Sequence, residues 1–239
     1  MKFLNEQKKL YPNLSDTIDD VNRLINSLKS RKVNIIDPGG RPITPKAVWN
    51  LQSYVQVTLH RAVDLSSEVC NSWNKGQVAV SFLLVRALFE NATFMYDLSI
   101  LLTRYIKEDK FQEVYDLIVN RMFGSRTFTA LPKSINVMTV IEKLDKKFEG
   151  LKDSYERLSE FCHPNYSAMY GLYAKLNKKE IYYEIDQNYG ISEMTFNLII
   201  TALCPALLLI EEGMNNIESL YPDLTKLSNK DLEKTRKKE

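Results

Sequence analysis

Arg157 and His163 bracket the stretch "RLSEFCH", with five residues between them and Pro164 directly after the histidine. Arginine supplies a permanent planar cation, and histidine can hold or release a proton near neutral pH. Together they form a minimal kit for cleaving RNA. The imidazole would move a proton from a 2′-hydroxyl or to the leaving oxygen, while the guanidinium holds the phosphate by a bidentate contact. Fully helical, the two side chains would project about 120° apart. Proline alters that geometry, because the residue before it is pushed out of the α region and the helix is expected to unwind at His163. The freed ring can then fold back toward Arg157, and the negative end of the helix favours an imidazolium there. A plainer reading makes His163 a helix C-terminal cap and pairs Arg157 with Glu160 or Asp153. Spacing leaves both readings open.

A second group lies upstream in "VRALFENATFMYDLSILLTR". At about 100° per residue, Arg86, Glu90, Thr93, Asp97 and Arg104 fall within roughly 60° of one line on a helix that is otherwise apolar. The stripe reads as the one solvent-facing side of a buried helix, with Arg86 and Glu90 as an i,i+4 ion pair. It also reads as one wall of a cleft, in which Glu90 holds Arg86 ready for an anion, or as a pair that fixes helix packing. A cleft joining Arg86, Glu90 and Asp97 to the Arg–His pair would bind a small anionic ligand. No His and carboxylate set has metal-ligand spacing, so no metal or other cofactor is expected. Cys162 adjoins His163 on the inward side of its helix and no nucleophile elbow is present, which argues against a serine or cysteine hydrolase. His60, mid-helix beside Arg61, reads as a structural or surface histidine.

Long helices must position these residues. Ser15 can cap a first helix carrying Ile18, Val21, Leu24, Ile25 and Leu28 at helical spacing. A loop with Pro38-Gly39-Gly40 follows; lacking the lysine and spacing of a P-loop, it reads as a linker. Thr44-Pro45 is a helix start signal for a segment reaching about Trp73. Further helices are expected over about 77–107, 109–123 and 134–148, the last capped by Ser134. Gly150 separates these from the motif helix, whose Leu151, Tyr155, Leu158 and Cys162 share an inward face. Aromatic and apolar runs around "NKKE" predict a small hairpin near 170–186. A last long helix spans about 192–219, kinked at Pro205. The fold class is therefore all-α: an antiparallel bundle with two long central helices and at most one β-hairpin. Residues 1–43 are expected to pack on the bundle as a helix and linker, 44–220 to form the main helical domain, and 221–239 to be a charged, frayed tail.

Composition limits the partners. The 239 residues carry 32 basic and 30 acidic side chains, so any nucleic-acid site must come from local clustering rather than net charge. Three widely spaced cysteines suggest neither a disulfide framework nor zinc, and reduced thiols in a cytoplasm are the simpler reading. The N-terminal stretch lacks the apolar core of a signal peptide, and the most apolar run, Phe196–Ile210, is shorter than the roughly 20 residues of a membrane span. No membrane association is expected.

An all-α domain with "RALFE" on a central helix and a later "YERLSEFCHP" resembles the HEPN superfamily, including its bacterial abortive-infection and toxin-type relatives. The resemblance covers about 44–219 and rests on few specific residues. It implies a metal-independent ribonuclease whose site forms where two protomers bring their motifs together. In that arrangement His163 transfers protons and Arg157 binds phosphate, while Tyr155, Ser159, Glu160 and Asn165 support them. Glu160 would repel RNA phosphates unless it is itself paired. The implied partners are a second copy of the chain, RNA, and an antitoxin or regulatory protein. A non-catalytic helical binding or assembly protein, in which the same residues are structural, is the alternative.

Overall fold

The computed structural model describes residues 4–37 and 46–236, and among these apolar residues recurring every three to four positions give ten α-helices. The linker glycines at 39–40 and the Thr44-Pro45 start signal fall outside the described residues. A short α1 (Gln7–Leu10) and a 3₁₀ turn (Pro12–Leu14) lead into α2 (Ser15–Ser30). The long helices α3 (Lys46–Asn74) and α4 (Val78–Lys107) are joined by a tight turn. They are followed by the shorter α5 (Phe111–Phe123), α6 (Val137–Asp145), α7 (Leu151–Glu160) and α8 (Tyr166–Tyr173). The strands β1 (Ala174–Asn177) and β2 (Tyr182–Ile185) pair antiparallel, and α9 (Glu193–Ser219) and α10 (Tyr221–Arg236) complete the chain. The all-α bundle with one hairpin is the architecture the periodicity predicts.

The most extensive packing is between α4 and α9, with α3 and α2 flanking them. Phe82, Leu88, Phe89, Met95 and Tyr96 of α4 and Ile200, Leu203, Leu207 and Met214 of α9 are all fully buried. At Gly213 the two helices nearly touch: a Cβ there would lie 3.0 Å from Met95 Cγ and 3.2 Å from the backbone of Met95 and Tyr96. Both helices are long and apolar enough to cross a bilayer by length and composition. Half of the most apolar window of α4 and 61% of that of α9 are nevertheless buried against the rest of the protein. The span over Glu193–Ser219 is thus longer than the apolar run alone suggests.

Ser192 starts α9 with a capping box, its hydroxyl accepting from Thr195 N while Thr195 Oγ1 accepts from Ser192 N. Pro205 lies inside α9 on an exposed side, where the carbonyl it leaves without an N–H partner can meet solvent. Two expectations change. Asn136 caps α6 in place of Ser134, its side chain accepting from Met138 N at 3.0 Å, so the helix begins at Val137. Residues 221–236 are helical rather than frayed, because Leu224 and Leu227, three positions apart, bury one face of α10 against the bundle.

Candidate functional site

The stripe and the motif helix meet at one hydroxyl, but neither Arg157 nor His163 takes part in that contact. Tyr155, on the inward face of α7, donates to Glu90 Oε1 at 2.7 Å and accepts from Arg86 Nε at 3.3 Å and Nη2 at 3.0 Å. The direct Arg86 Nε–Glu90 Oε1 separation is 3.5 Å, so the tyrosine bridges a loose i,i+4 pair. Leu151 and Leu158 share the buried face of Tyr155, and Phe161 stacks on Phe82 of α4 with ring centroids 4.2 Å apart. These contacts hold α7 to α4 along its length. Burial alone would lower the Arg86 pKa, but Tyr155 and Glu90 outweigh it and hold the guanidinium above its ordinary value. Burial, reinforced by the bond to Glu90, pushes the Tyr155 phenol up. The half-buried Cys162 lies against Arg86, yet burial still raises its thiol pKa, and Cys70 is pushed up to about 12 by the same cause. Neither thiol is an activated nucleophile.

On the outer side of α7, Arg157 pairs with Asp153 at 2.7 Å, and both side chains are largely exposed. His163 is exposed in the bend after α7, where the helix has already ended at Glu160. The unwinding before Pro164 thus begins three residues ahead of the histidine. Asn165 organises the turn. Its Oδ1 accepts from Ala168 N to cap α8, its backbone N–H donates to the His163 carbonyl, and its amide donates to Glu160. Glu160 is therefore hydrogen-bonded, but by a neutral amide that leaves its negative charge in place. Ser159 donates to the Tyr155 carbonyl at 2.8 Å and spends its hydroxyl within its own helix. A cavity of about 300 Å³ beside α7 is lined by Asp153, Ser154, Arg157, Leu198 and Thr201; His163 is not among its lining residues. His60 is half-buried, with Nε2 3.0 Å from the Val33 carbonyl, a structural contact.

Asp97 departs from the rest of its stripe. Instead of facing solvent or the motif helix, its carboxylate is 3% exposed at residue level and bonded to two cations, Arg121 of α5 and Lys143 of α6, each at 2.5 Å. Thr93 is fully buried as well. From Arg86 to Asp97 the stripe is a seam covered by α5, α6 and α7, neither an open face nor a single cleft: Arg86 and Glu90 meet Tyr155, Asp97 meets Arg121, and Arg104 at its end is exposed. Sequence reasoning missed Arg121 and Lys143. The available signal was Asp97 itself, which has no cation three or four residues away on an apolar helix and so requires a distant partner.

Among the described residues, no three His, Cys, Asp or Glu side chains cluster closely enough to hold a metal ion. The chain matches no protein-family model, and no curated protein or solved structure is significantly similar to it.

Proposed function

We propose that this chain is a HEPN-like protein that cleaves RNA without a metal, in a cytoplasmic bacterial defence or stress response. Arg157 would hold phosphate and His163 would transfer protons across a homodimer cleft. The reading is carried by one observation: α7 is fastened inward through Tyr155, Glu90 and Arg86 while Arg157 and His163 stay exposed on the outside. A side chain that held the bundle together would not be left in solvent at the edge of so well-anchored a helix. In this mechanism phosphate displaces Asp153 from Arg157, an exchange of one exposed charge-assisted contact for a bidentate one. With one exposed histidine in each protomer's motif, two copies supply both an acid and a base. A regulatory or antitoxin partner would act by covering that surface.

The test compares wild type with His163→Ala and Arg157→Ala. RNA integrity is followed in expressing cells, and purified protein is incubated with RNA in the presence of a chelator. Cleavage by wild type, lost in both variants, is the expected result. Equal RNA integrity and equal growth in all three would overturn the proposal. A second reading, a non-catalytic helical binding protein, is favoured by the Arg157–Asp153 pair and by the exposed aromatics of α8 and the hairpin. There Tyr166 stacks on Tyr170 with ring centroids 5.7 Å apart, and Tyr170 meets Tyr183 at a tilt with centroids 5.3 Å apart. It predicts a dimer or partner complex with no change in RNA.

A further inference from the structure

Arg121 is over-supplied with donors for the acceptors around it. Its side chain is 3% exposed, and among the described residues Nη2 is its one hydrogen-bonded nitrogen, reaching Asp97. Nε and Nη1 are buried and have no hydrogen-bond partner among the described residues, so most of the guanidinium's N–H bonds are unmet. The guanidinium carbon lies 4.8 Å from the centroid of the Phe94 ring, a contact that satisfies charge more than hydrogen bonding. Charge is unbalanced too, because Asp97 is one anion shared between Arg121 and Lys143. Leaving buried donors of a charged group unpaired is costly, and native proteins rarely do it without a reason.

Arg121 lines a cavity of about 340 Å³, the lower end of the size range for small-molecule sites. Tyr54 and Phe94 contribute its aromatic walls, and Ser134 and Arg126 come from the loop between α5 and α6. That loop is closed at its neck. Ser125 N donates to the Pro132 carbonyl at 2.8 Å and Ser134 N to the Ser125 carbonyl at 3.1 Å. Gly124 permits the closure: a Cβ there would sit 2.6 Å from the Asn120 carbonyl oxygen and 3.2 Å from Ser134 Cα. The pinched neck carries Arg126 to the cavity, and Arg126 makes no ion pair among the described residues.

We propose that this cavity binds a small phosphate monoester, held by Arg121 and Arg126. The charge fits: after Asp97 is shared, the two guanidinia and Lys143 leave about two positive charges, against the roughly −1.5 to −2 of a phosphate monoester near neutral pH. Its three oxygens answer the unmet N–H bonds of Arg121, Arg126 and the Ser134 hydroxyl, more acceptor capacity than one carboxylate offers. Binding turns the Arg121 guanidinium toward the cavity it already lines. The remaining volume beside Tyr54 and Phe94 takes the organic part of the ligand. This site is separate from Arg157 and His163, and its proof or failure leaves their role untouched.

The test is calorimetric titration of the full chain at fixed ionic strength with inorganic phosphate, ribose 5-phosphate, adenosine monophosphate and succinate. Saturable binding of at least one phosphate compound, tighter than succinate, is expected. A preference for either ester over inorganic phosphate identifies the organic part. Arg126→Ala, on an exposed loop, should leave thermal stability unchanged and weaken binding about tenfold or more. Arg121→Met should abolish binding, with Lys143 still pairing Asp97. No saturable binding of any phosphate compound, succinate binding at least as tightly, or undiminished affinity in the Arg126→Ala protein overturns the proposal.

Discussion

Replacing Asp97 by asparagine should destabilise this protein far more than removing either the exposed Arg157–Asp153 pair or Lys143. Asparagine keeps the shape of aspartate and removes only its charge. Arg121, with a side chain 3% exposed, would then be a buried cation with no counter-charge. Breaking such a pair costs about 3–5 kcal/mol, because the remaining ion cannot recover its hydration. Lys143 touches the same carboxylate at the same 2.5 Å, but its side chain is 45% exposed. Lys143→Met should therefore cost under about 1 kcal/mol, as for other solvated pairs. For a chain of this size each kcal/mol moves Tm by roughly 2–4 °C. Asp97→Asn should lower Tm by about 6–20 °C, and Lys143→Met by at most about 4 °C. Urea unfolding should show a shifted midpoint with an unchanged slope. The Asp97→Asn/Arg121→Met double variant should recover part of the loss, since it removes the stranded charge with its partner. Equal costs for Asp97→Asn and Lys143→Met, or a double variant less stable than Asp97→Asn, would refute the reasoning.

Tyr155→Phe removes the bridge between Arg86 and Glu90 and should cost about 1–2 kcal/mol in urea unfolding, since both charges can partly rehydrate; an unchanged midpoint would show that α7 is held by apolar packing alone. Gly213→Val forces two methyl groups against Met95 and Tyr96 and should lose about 2 kcal/mol or more despite the poor helix propensity of glycine; a gain in Tm would contradict the close approach. Burial raises the pKa of Tyr11, Tyr54, Tyr155 and Tyr221. Above about pH 10 the unfolded chain loses these protons before the folded one does. Their contribution is complete below pH 10 and fades as pH rises through the folded values, so urea midpoints should fall steadily on the alkaline side, and a flat profile would count against it. Burial also raises the pKa of all three thiols. A thiol reagent at neutral pH should leave Cys70 and Cys204 unmodified in the native protein and react with all three on unfolding; rapid native labelling of Cys70 would contradict its burial.

The seven helices α2 to α7 and α9 were legible because the apolar spacing of each segment is regular, whereas α1, α8 and α10 were not, and Leu151, Tyr155 and Leu158 are buried together as their spacing of four and three requires. The pairing of Arg157 was within reach of local reasoning, since Asp153 is one helical turn away. Asp97 was not, because its partners lie 24 and 46 residues downstream and only tertiary packing brings them together. The α10 helix was hidden for a related reason. Its sequence is dominated by charge, and the few apolar residues that fasten it gain meaning only against a surface built from other helices. The meeting of Arg86 with Tyr155 had the same long-range origin: each residue stood out in its own helix, and nothing local linked them.

The mutual burial of α4 and α9 also sets a timetable for synthesis. Some 85 residues separate the end of one helix from the start of the other. At about 5–20 residues per second, a ribosome takes roughly 4–17 s to make them. For that interval α4 is complete but lacks the surface that covers it, and contacts so distant along the chain close slowly. A nascent chain of this protein thus leaves the apolar faces of α4 uncovered until about its last fifth emerges, and truncation before α9 converts the core of the bundle into an aggregation surface.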